Sequence, residues 1–453
     1  MKKQFGTDGV RGEANVKLTP VLAYRIGAAL TAILREETES PVIAVGRDTR
    51  LSGDMLEGAL AAGITARGGK MLRLGIIPTP AVSAYVRHIH AEAGIVISAS
   101  HNPYWDNGIK IFGADGRKFP DDKEARIETM LAEDSCTELC LRNEIGKVED
   151  CPEAAAYYTE RLKSFFPMDL SGYRLVVDTA NGATSDYAPA LLRSFGAEVI
   201  AMNTDYDGVN INRNCGSTKP EAMAQKVRDV RADAGIAYDG DGDRLILADH
   251  CGNIVDGDQA MALMARYLLE KGELAENRLV VTVMSNLGLK LAMEKLGVVL
   301  SVTSVGDKNV MVEMDRTGAV LGGEQSGHLI LSRYNPTGDG ILSSLMILSV
   351  IAETGKSLKE LASVMTPLPQ ILYNITVDRR DDWSQNEAVR SAIAEAEAKL
   401  GESGRILIRP SGTEPLLRVM GEGPDREELD GILKGILAVM EKELNDEKQE
   451  KND

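Results

Sequence analysis

The sequence predicts an α/β protein of four domains, on three observations. Apolar runs of strand length alternate with helical patterns. That alternation restarts twice along the chain. The last stretch of sequence then changes to a different order of elements. The first unit of the pattern runs from "PVIAVGRD" (Pro41 to Asp48) through a helical stretch, Asp54 to Arg67, that ends at Gly68 and Gly69 and leads into "KMLRLG". The same grammar returns at "YRLVVDTANG" with "GAEVIAMN", and again at "NRLVVTVMSN" with "VVLSVTSVG". With 453 residues, several cores are expected, because single cores rarely grow past about 250 to 300 residues.

The breaks follow from composition. A charged segment, Glu144 to Glu153, precedes the helical "AAYYTERLKSFF". A polar turn, Asp249 to Asp258, precedes the next helix. "TPLPQ", Thr366 to Gln370, is a stiff extended linker. The expected domains are therefore residues 1–153, 154–254, 255–367 and 368–453. The last is α+β and smaller: strand "ILYNITVD", helix "NEAVRSAIAEAEAKLG", strands "RILIRPSG" and "PLLRVMGEG", and an amphipathic helix from Arg426 to Leu444 before a polar tail. No low-complexity segment or fixed-period repeat is visible.

Bulk composition narrows the function. A formal net charge of −17 argues against a general nucleic-acid binder, which needs a basic stripe to displace counterions from phosphates. An anionic substrate would need locally clustered Arg and Lys. The N-terminus has no apolar signal region, and no apolar stretch approaches the roughly 18 to 20 residues that span a bilayer, so a cytoplasmic protein is expected. Five cysteines, Cys136, Cys140, Cys151, Cys215 and Cys251, include no C-x-x-C pair and suggest neither a disulfide framework nor a zinc ribbon. His88 and His90 lack a third partner and read as ordinary structural or surface histidines.

Four loops carry candidate chemistry. In "AYDGDGDRLIL", Asp239, Asp241 and Asp243 alternate with glycines between two apolar strands. Three carboxylates this close repel one another unless a cation sits among them, and an all-oxygen set suits a hard divalent ion such as Mg²⁺; a solvated hairpin turn is the bland alternative. An EF-hand is excluded, because its twelfth position holds His250. Ser100 stands at the end of the buried run "GIVI", followed by His101, Asn102 and Pro103. Taken alone this is a turn at a strand end. No G-x-S-x-G elbow is present and His101 is poorly placed as base to its own neighbour, so a serine hydrolase is excluded. A phosphoryl group on Ser100 would supply oxygens to a cation held by the aspartates. "LGGEQSGHLIL" offers Glu324, Ser326 and His328, which suit sugar hydroxyls or a plain hairpin loop equally. In "RPSGTEPLLR", Arg409, Ser411, Gly412, Thr413 and Arg418 make a phosphate-sized anion cradle, with no Walker A or G-x-G-x-x-G pattern to compete.

These loops, in this order, resemble the α-D-phosphohexomutase superfamily over essentially the whole chain. "FGTDGVRG", "SASHNPYWDNGIK", "DGDGDR", "GEQSGH" and "RPSGTEPLLRVM" look most like its amino-sugar branch. The resemblance implies four domains around a central cleft, the first three being related α/β domains with mixed sheets. It implies a cytoplasmic isomerase that interconverts glucosamine 6-phosphate and glucosamine 1-phosphate, through a phosphoserine enzyme and glucosamine 1,6-bisphosphate as intermediate and activator. Ser100 would be phosphorylated, and Asp239, Asp241 and Asp243 would hold one Mg²⁺ with it. Arg244 would lie beside that phosphate. Lys110 would be a general acid/base, needing a pKa lowered by burial or neighbouring cations, with Arg11 and His101 supporting the transferring group. Glu324, Ser326 and His328 would serve the sugar, and the Arg409 loop the phosphate that is not reacting. The partner would be a small sugar phosphate, with neither nucleic acid nor membrane involved and a homodimer left open.

A phosphomannomutase/phosphoglucomutase activity is the nearest alternative. An aspartyl-phosphate phosphatase using Asp239 and Asp241, or a non-catalytic sugar-phosphate binding protein, stands further off. Tyr206, where relatives often have Pro, touches only local loop geometry.

Overall fold

The computed structural model describes residues 5–6, 8–133, 139–410 and 416–445. The chain forms two compact units, one of residues 1–284 with 296–364, the other of residues 285–295 with 365–453.

The first unit contains three sheets. The first has seven strands, in the order Phe5–Gly6, Gly9–Glu13, Asp106–Gly113, Ala93–Ile97, Val42–Arg47, Lys70–Ile76 and Val148–Asp150. Val42–Arg47 lies parallel to both neighbours, whereas Asp106–Gly113 runs antiparallel to Ala93–Ile97, so the sheet is mixed. Helices Pro20–Leu34 and Gly53–Ala66 cover one face. Ile26, Leu30, Leu56 and Leu60 meet Val45 and Ile95 there in one apolar core. Pro20 presets the helical φ at its position, and the Thr19 hydroxyl accepts from the Leu22 N–H at 3.2 Å, capping the helix start. Val148–Asp150 falls in the charged segment read as a domain break. It is a short, wholly exposed edge strand whose backbone pairs parallel with Met71 to Arg73, and nothing in its side chains announces that pairing.

The second sheet orders Ile254–Val255, Leu245–Asp249, Ala234–Tyr238, Arg174–Asp178 and Glu198–Met202. Ala234–Tyr238 and Leu245–Asp249 are antiparallel and buried along their whole lengths, so the aspartate loop is the connection of a buried hairpin. The third sheet orders Val299–Thr303, Arg278–Thr282, Leu321–Gly323 and Leu329–Leu331. Its last two strands are antiparallel, and the Glu324 loop joins them.

A polar node ties these layers together. The buried Asp339 carboxylate accepts the Leu342 N–H at 2.9 Å, capping helix Gly340–Thr354, and also the Tyr158 hydroxyl at 2.8 Å and the Asn335 amide at 3.1 Å. Asn335 donates in turn to the Pro80 carbonyl at 3.1 Å.

The second unit carries a three-stranded antiparallel sheet with Leu417–Glu422 between Gln370–Ile375 and Arg405–Pro410. Helices Glu387–Leu400 and Arg426–Leu444 bury Val389, Leu400, Leu429, Leu433 and Met440 against it. Asp425 caps the last helix by accepting from Glu427 N and Glu428 N, both at 2.9 Å. No described helix is long and apolar enough to cross a membrane.

Burial pushes the Asp339 carboxyl up to about 6 despite its three donors. Between the unfolded value of 3.8 and about 6, the folded chain keeps a proton that the unfolded chain has lost, so this group costs stability as pH rises through that window. The difference corresponds to about 3 kcal/mol. The stability gap between the protein and Asp339→Asn should therefore narrow by up to that order from pH 4 to pH 7, as read by denaturant unfolding at each pH. A gap independent of pH would show that Asp339 folds ionised.

Candidate active site

Ser100 follows the buried strand Ala93–Ile97 and is itself 1% exposed. Its φ of 53° lies in the left-handed region, which side chains with a β-carbon rarely adopt. Its hydroxyl donates to Asp239 Oδ2 at 2.6 Å. Asp239, Asp241 and Asp243 are all buried, and one oxygen of each lies within 4.8 Å of the others. Gly242 adopts a φ of 74°, the conformation that turns the loop back on itself. Gly240 is needed for close approach, since a β-carbon there would sit 2.7 Å from the Ser100 carbonyl oxygen.

The aspartates differ in their partners. Asp241 Oδ2 accepts from Thr79 Oγ1 at 2.6 Å and from Lys110 Nζ at 2.8 Å. Asp243 Oδ2 lies 3.4 Å from Lys110 Nζ and 3.7 Å from His328 Nδ1. Asp241 Oδ1 and Asp243 Oδ1 are buried acceptors without a hydrogen-bond donor among the described residues. Burial, and then the charges of Asp243 and Asp241, push the Asp239 carboxyl well above the usual carboxylate range. Burial works the same way on Asp243, but Lys110, His328 and Arg244 outweigh it and hold that carboxyl low. Three buried carboxylates, with two oxygens that lack a donor among the described residues, fit a hard cation, so the triad is suited to hold a metal ion.

Action of Lys110 as a base needs a lowered pKa, and its surroundings work in the other direction. Burial opposes its charge, but Asp241, Asp8 and Asp243 together raise it and keep the ammonium protonated. It belongs to a closed circuit of alternating charge. Lys110 Nζ is 3.4 Å from Asp8, which lies 2.9 Å from Lys118. Lys118 is 2.6 Å from Asp307, whose other oxygen lies 3.8 Å from His328 Nε2, and His328 returns to Asp243. Burial disfavours charge on His328, but Asp243, Asp307 and Glu324 raise its pKa to about 9. His101 moves the other way: burial, then Arg244 and Arg11, lower it to about 4, so it is neutral, with Nδ1 3.4 Å from Ser100 Oγ.

These groups open on a cavity of about 430 Å³ lined by Ser100, Asp243, Arg244, Arg11, Asp307, Glu324 and His328 among others. Arg11 pairs with Asp8, yet Arg11 Nε and Arg244 Nε are buried N–H groups with no acceptor among the described residues, as beside an anion seat. Glu324 Oε1 accepts the Gly306 N–H at 3.0 Å. Ser326 is exposed and does not line the cavity. In the second unit, Arg409 and Arg418 are direct cross-strand partners and so share a face; burial and then Arg418 lower the pKa of Arg409, and Arg418 Nε has no acceptor among the described residues. Ser411, Gly412 and Thr413 lie outside the described residues. The sequence reading did not single out Asp8, Thr79, Lys118 and Asp307. Only charges beside glycines in "GTDGVRG" and "VGDKN" hinted at two of them.

Three mixed α/β sheets and a smaller C-terminal sheet domain, with a serine beside a carboxylate triad, define a phosphohexomutase. Models of phosphoglucomutase/phosphomannomutase domains match in order: α/β/α domain I over residues 2–137, domain II over 156–252, domain III over 256–368 and the C-terminal domain over 372–439. The chain is 50% identical to the phosphoglucosamine mutase of Carboxydothermus hydrogenoformans over 443 residues, covering 98% of this chain and 100% of that one. It is 47% identical to that of Bacillus cereus over 449 residues, with 99% and 100% covered. A putative phosphomannomutase from Thermus thermophilus superposes with a TM-score of 0.79 at 25% identity, covering 97% of this chain and 100% of that one. The chain belongs to the phosphoglucosamine mutase family of the α-D-phosphohexomutase superfamily, and it is an isomerase.

Lys118 separates two carboxylates. Lys118→Met is expected to cost about 2–4 kcal/mol at pH 8, because Asp8 and Asp307 then face each other inside the protein. The cost should shrink toward pH 5, where protonation relieves the repulsion between the two carboxyls, Asp8 still paired with Arg11 and Lys110 and Asp307 with His328. A loss equal at both pH values, measured by denaturant unfolding, would contradict this.

Proposed function

We propose that the protein interconverts glucosamine 6-phosphate and glucosamine 1-phosphate, with Ser100 as the phosphoryl carrier and Mg²⁺ held by Asp239, Asp241 and Asp243 with an oxygen of phosphorylated Ser100. The observation that carries this reading is the Ser100 hydroxyl, 2.6 Å from Asp239 inside a carboxylate triad with two orphaned oxygens. The ion, when bound, neutralises charge on the phosphoryl oxygens.

The chain's own groups then divide the work. A sugar hydroxyl gives its proton to solvent water as its oxygen bonds to phosphorus; the phosphorus–Oγ bond breaks, and Ser100 Oγ takes up a proton from Lys110. The resulting glucosamine 1,6-bisphosphate exchanges its ends and returns the other phosphoryl to Ser100 by the reverse of these bond changes. One serine thus serves both O1 and O6. The unsatisfied N–H groups of Arg11 and Arg244 suit the phosphoryl oxygens. Lys110, held protonated by its three carboxylates, is the proton donor of one half-reaction and recovers that proton in the other. Neutral His101 hydrogen-bonds near Oγ without adding charge.

Glu324 offers a carboxylate oxygen to ring hydroxyls, with Ser326 and His328 on the same loop. Arg409 and Arg418, two like charges side by side, call for an anion, and we assign them with Ser411, Gly412 and Thr413 to the phosphate that is not reacting. The amino sugar is favoured over glucose or mannose by the 47–50% identity to relatives that bear that name. The product would feed UDP-N-acetylglucosamine and peptidoglycan precursor synthesis.

Ser100→Ala should lower turnover of glucosamine 6-phosphate by roughly 10³-fold or more while the protein stays folded. The parent protein should show a higher kcat/KM for glucosamine 6-phosphate than for the glucose and mannose phosphates. Near-normal activity in the variant would overturn the carrier role. Equal or better use of glucose or mannose phosphate would move the protein to the broader hexomutase class.

A further inference from the structure

We infer that Arg50 and Asn212 are positioning residues that fix Ser100 through its backbone carbonyl, and so set the direction in which its hydroxyl meets the aspartate loop. This rests on the reading of Ser100 as the phosphoryl carrier. Neither residue lines the cavity.

Arg50 is 1% exposed, which is rare for arginine without full pairing. All five of its guanidinium N–H donors are in use. Nε donates to Asp48 at 2.8 Å; one terminal nitrogen donates to the carbonyls of Ser100 and Asn102, both at 2.8 Å; the other donates to the carbonyl of Asp106 at 2.9 Å and to that of Pro103. Four carbonyls of one loop therefore converge on one buried cation, and the chain must curl to bring them there. Asp48 extends the grip by accepting from Ser98 Oγ at 2.6 Å, and that oxygen accepts the Ser100 N–H at 2.9 Å.

Asn212 closes the same loop from another element of the fold. Its side-chain amide donates to the Ser100 carbonyl at 2.8 Å and to the Asn102 carbonyl at 3.1 Å. Each of those two carbonyls thus receives one bond from Arg50 and one from Asn212. The left-handed backbone of Ser100, unfavourable for a residue with a β-carbon, is held by these bonds. What that conformation achieves is the direction of Oγ, 2.6 Å from Asp239.

Reaction rate depends steeply on such placement: a displacement of about 1 Å can cost about 100-fold. The test is Asn212→Ala, with Arg50→Lys as a second variant that keeps the charge but loses the planar fork. For each, kcat, KM, Tm, the phosphate content of Ser100 by peptide mass mapping, and hydrogen exchange over residues 98–107 are measured. Expected in Asn212→Ala is a kcat lowered about 10- to 100-fold with KM within about twofold. Tm should fall by only a few degrees, because Asn212 itself has a φ of 58°, where Asn is favoured over Ala, and exchange over the loop should be faster. Arg50→Lys should show the same split in its folded fraction. An unchanged kcat in Asn212→Ala, or a kcat that falls only with the folded fraction, would overturn the inference. Phosphate on Ser100 of the parent protein together with an unaffected variant overturns the positioning role alone. Absence of phosphate from an active parent protein overturns the carrier reading and the inference with it.

Discussion

The mutual repulsion of three buried carboxylates governs this structure. Unit charges 4.8 Å apart interact by about 3–4 kcal/mol at the effective dielectric of a protein interior, so the triad cannot stand as bare charge. The fold answers with cations from several elements. Lys110 comes from the first sheet, Arg244 from the aspartate loop itself, and His328 from the loop of the third sheet. Asp8, Lys118 and Asp307 continue the alternation of sign, so that each buried charge has an opposite neighbour. Two carboxylate oxygens remain without a donor among the described residues, where a bound ion would complete the compensation.

That arrangement requires the loops to meet closely. The absence of a side chain at Gly240 lets the Ser100 loop touch the aspartate loop, and Thr79, at the start of a first-sheet helix, donates from both its N–H and its hydroxyl to Asp241. The polar node at Asp339 sits behind these contacts and joins helices of different layers within the same unit. Stability and function are thus coupled through a small number of buried charges, each tolerable only because its neighbours are in place.

Much of this was legible in the sequence for a physical reason. A polar cluster at the end of a wholly apolar strand has to be explained by something other than burial. The aspartates and the Arg409 loop stood out in that way, whereas Ser100 and the Glu324 loop gained meaning only from their order with the others, and the strand and helix patterns delivered the sheet domains. What was not legible depended on distance along the chain. Arg50 reads as a strand-end charge in "GRDTR", and only the folded loop shows that it gathers four carbonyls lying 50 to 56 residues further on. The direction of the Lys110 pKa was not legible, because the cations of the motifs were visible and the nearness of Asp8 and Asp241 was not. The edge strand Val148–Asp150 has no apolar pattern to betray it, since its pairing is made by backbone and by ion pairs of Glu149 with Lys70 and Asp150 with Arg73. Ser326 shares a motif with Glu324, yet it points to solvent while Glu324 reaches the cavity, because the hairpin turns between them.

The central claim is that the aspartate triad and phosphorylated Ser100 form one cation site. Calorimetric titration of Mg²⁺ into the protein with Ser100 phosphorylated, and into the same protein after dephosphorylation, tests it without reference to turnover. The account predicts binding to both forms, tighter by about tenfold or more when the phosphate is present, corresponding to at least about 1.4 kcal/mol. Equal affinity for the two forms, or no binding to either, would contradict it.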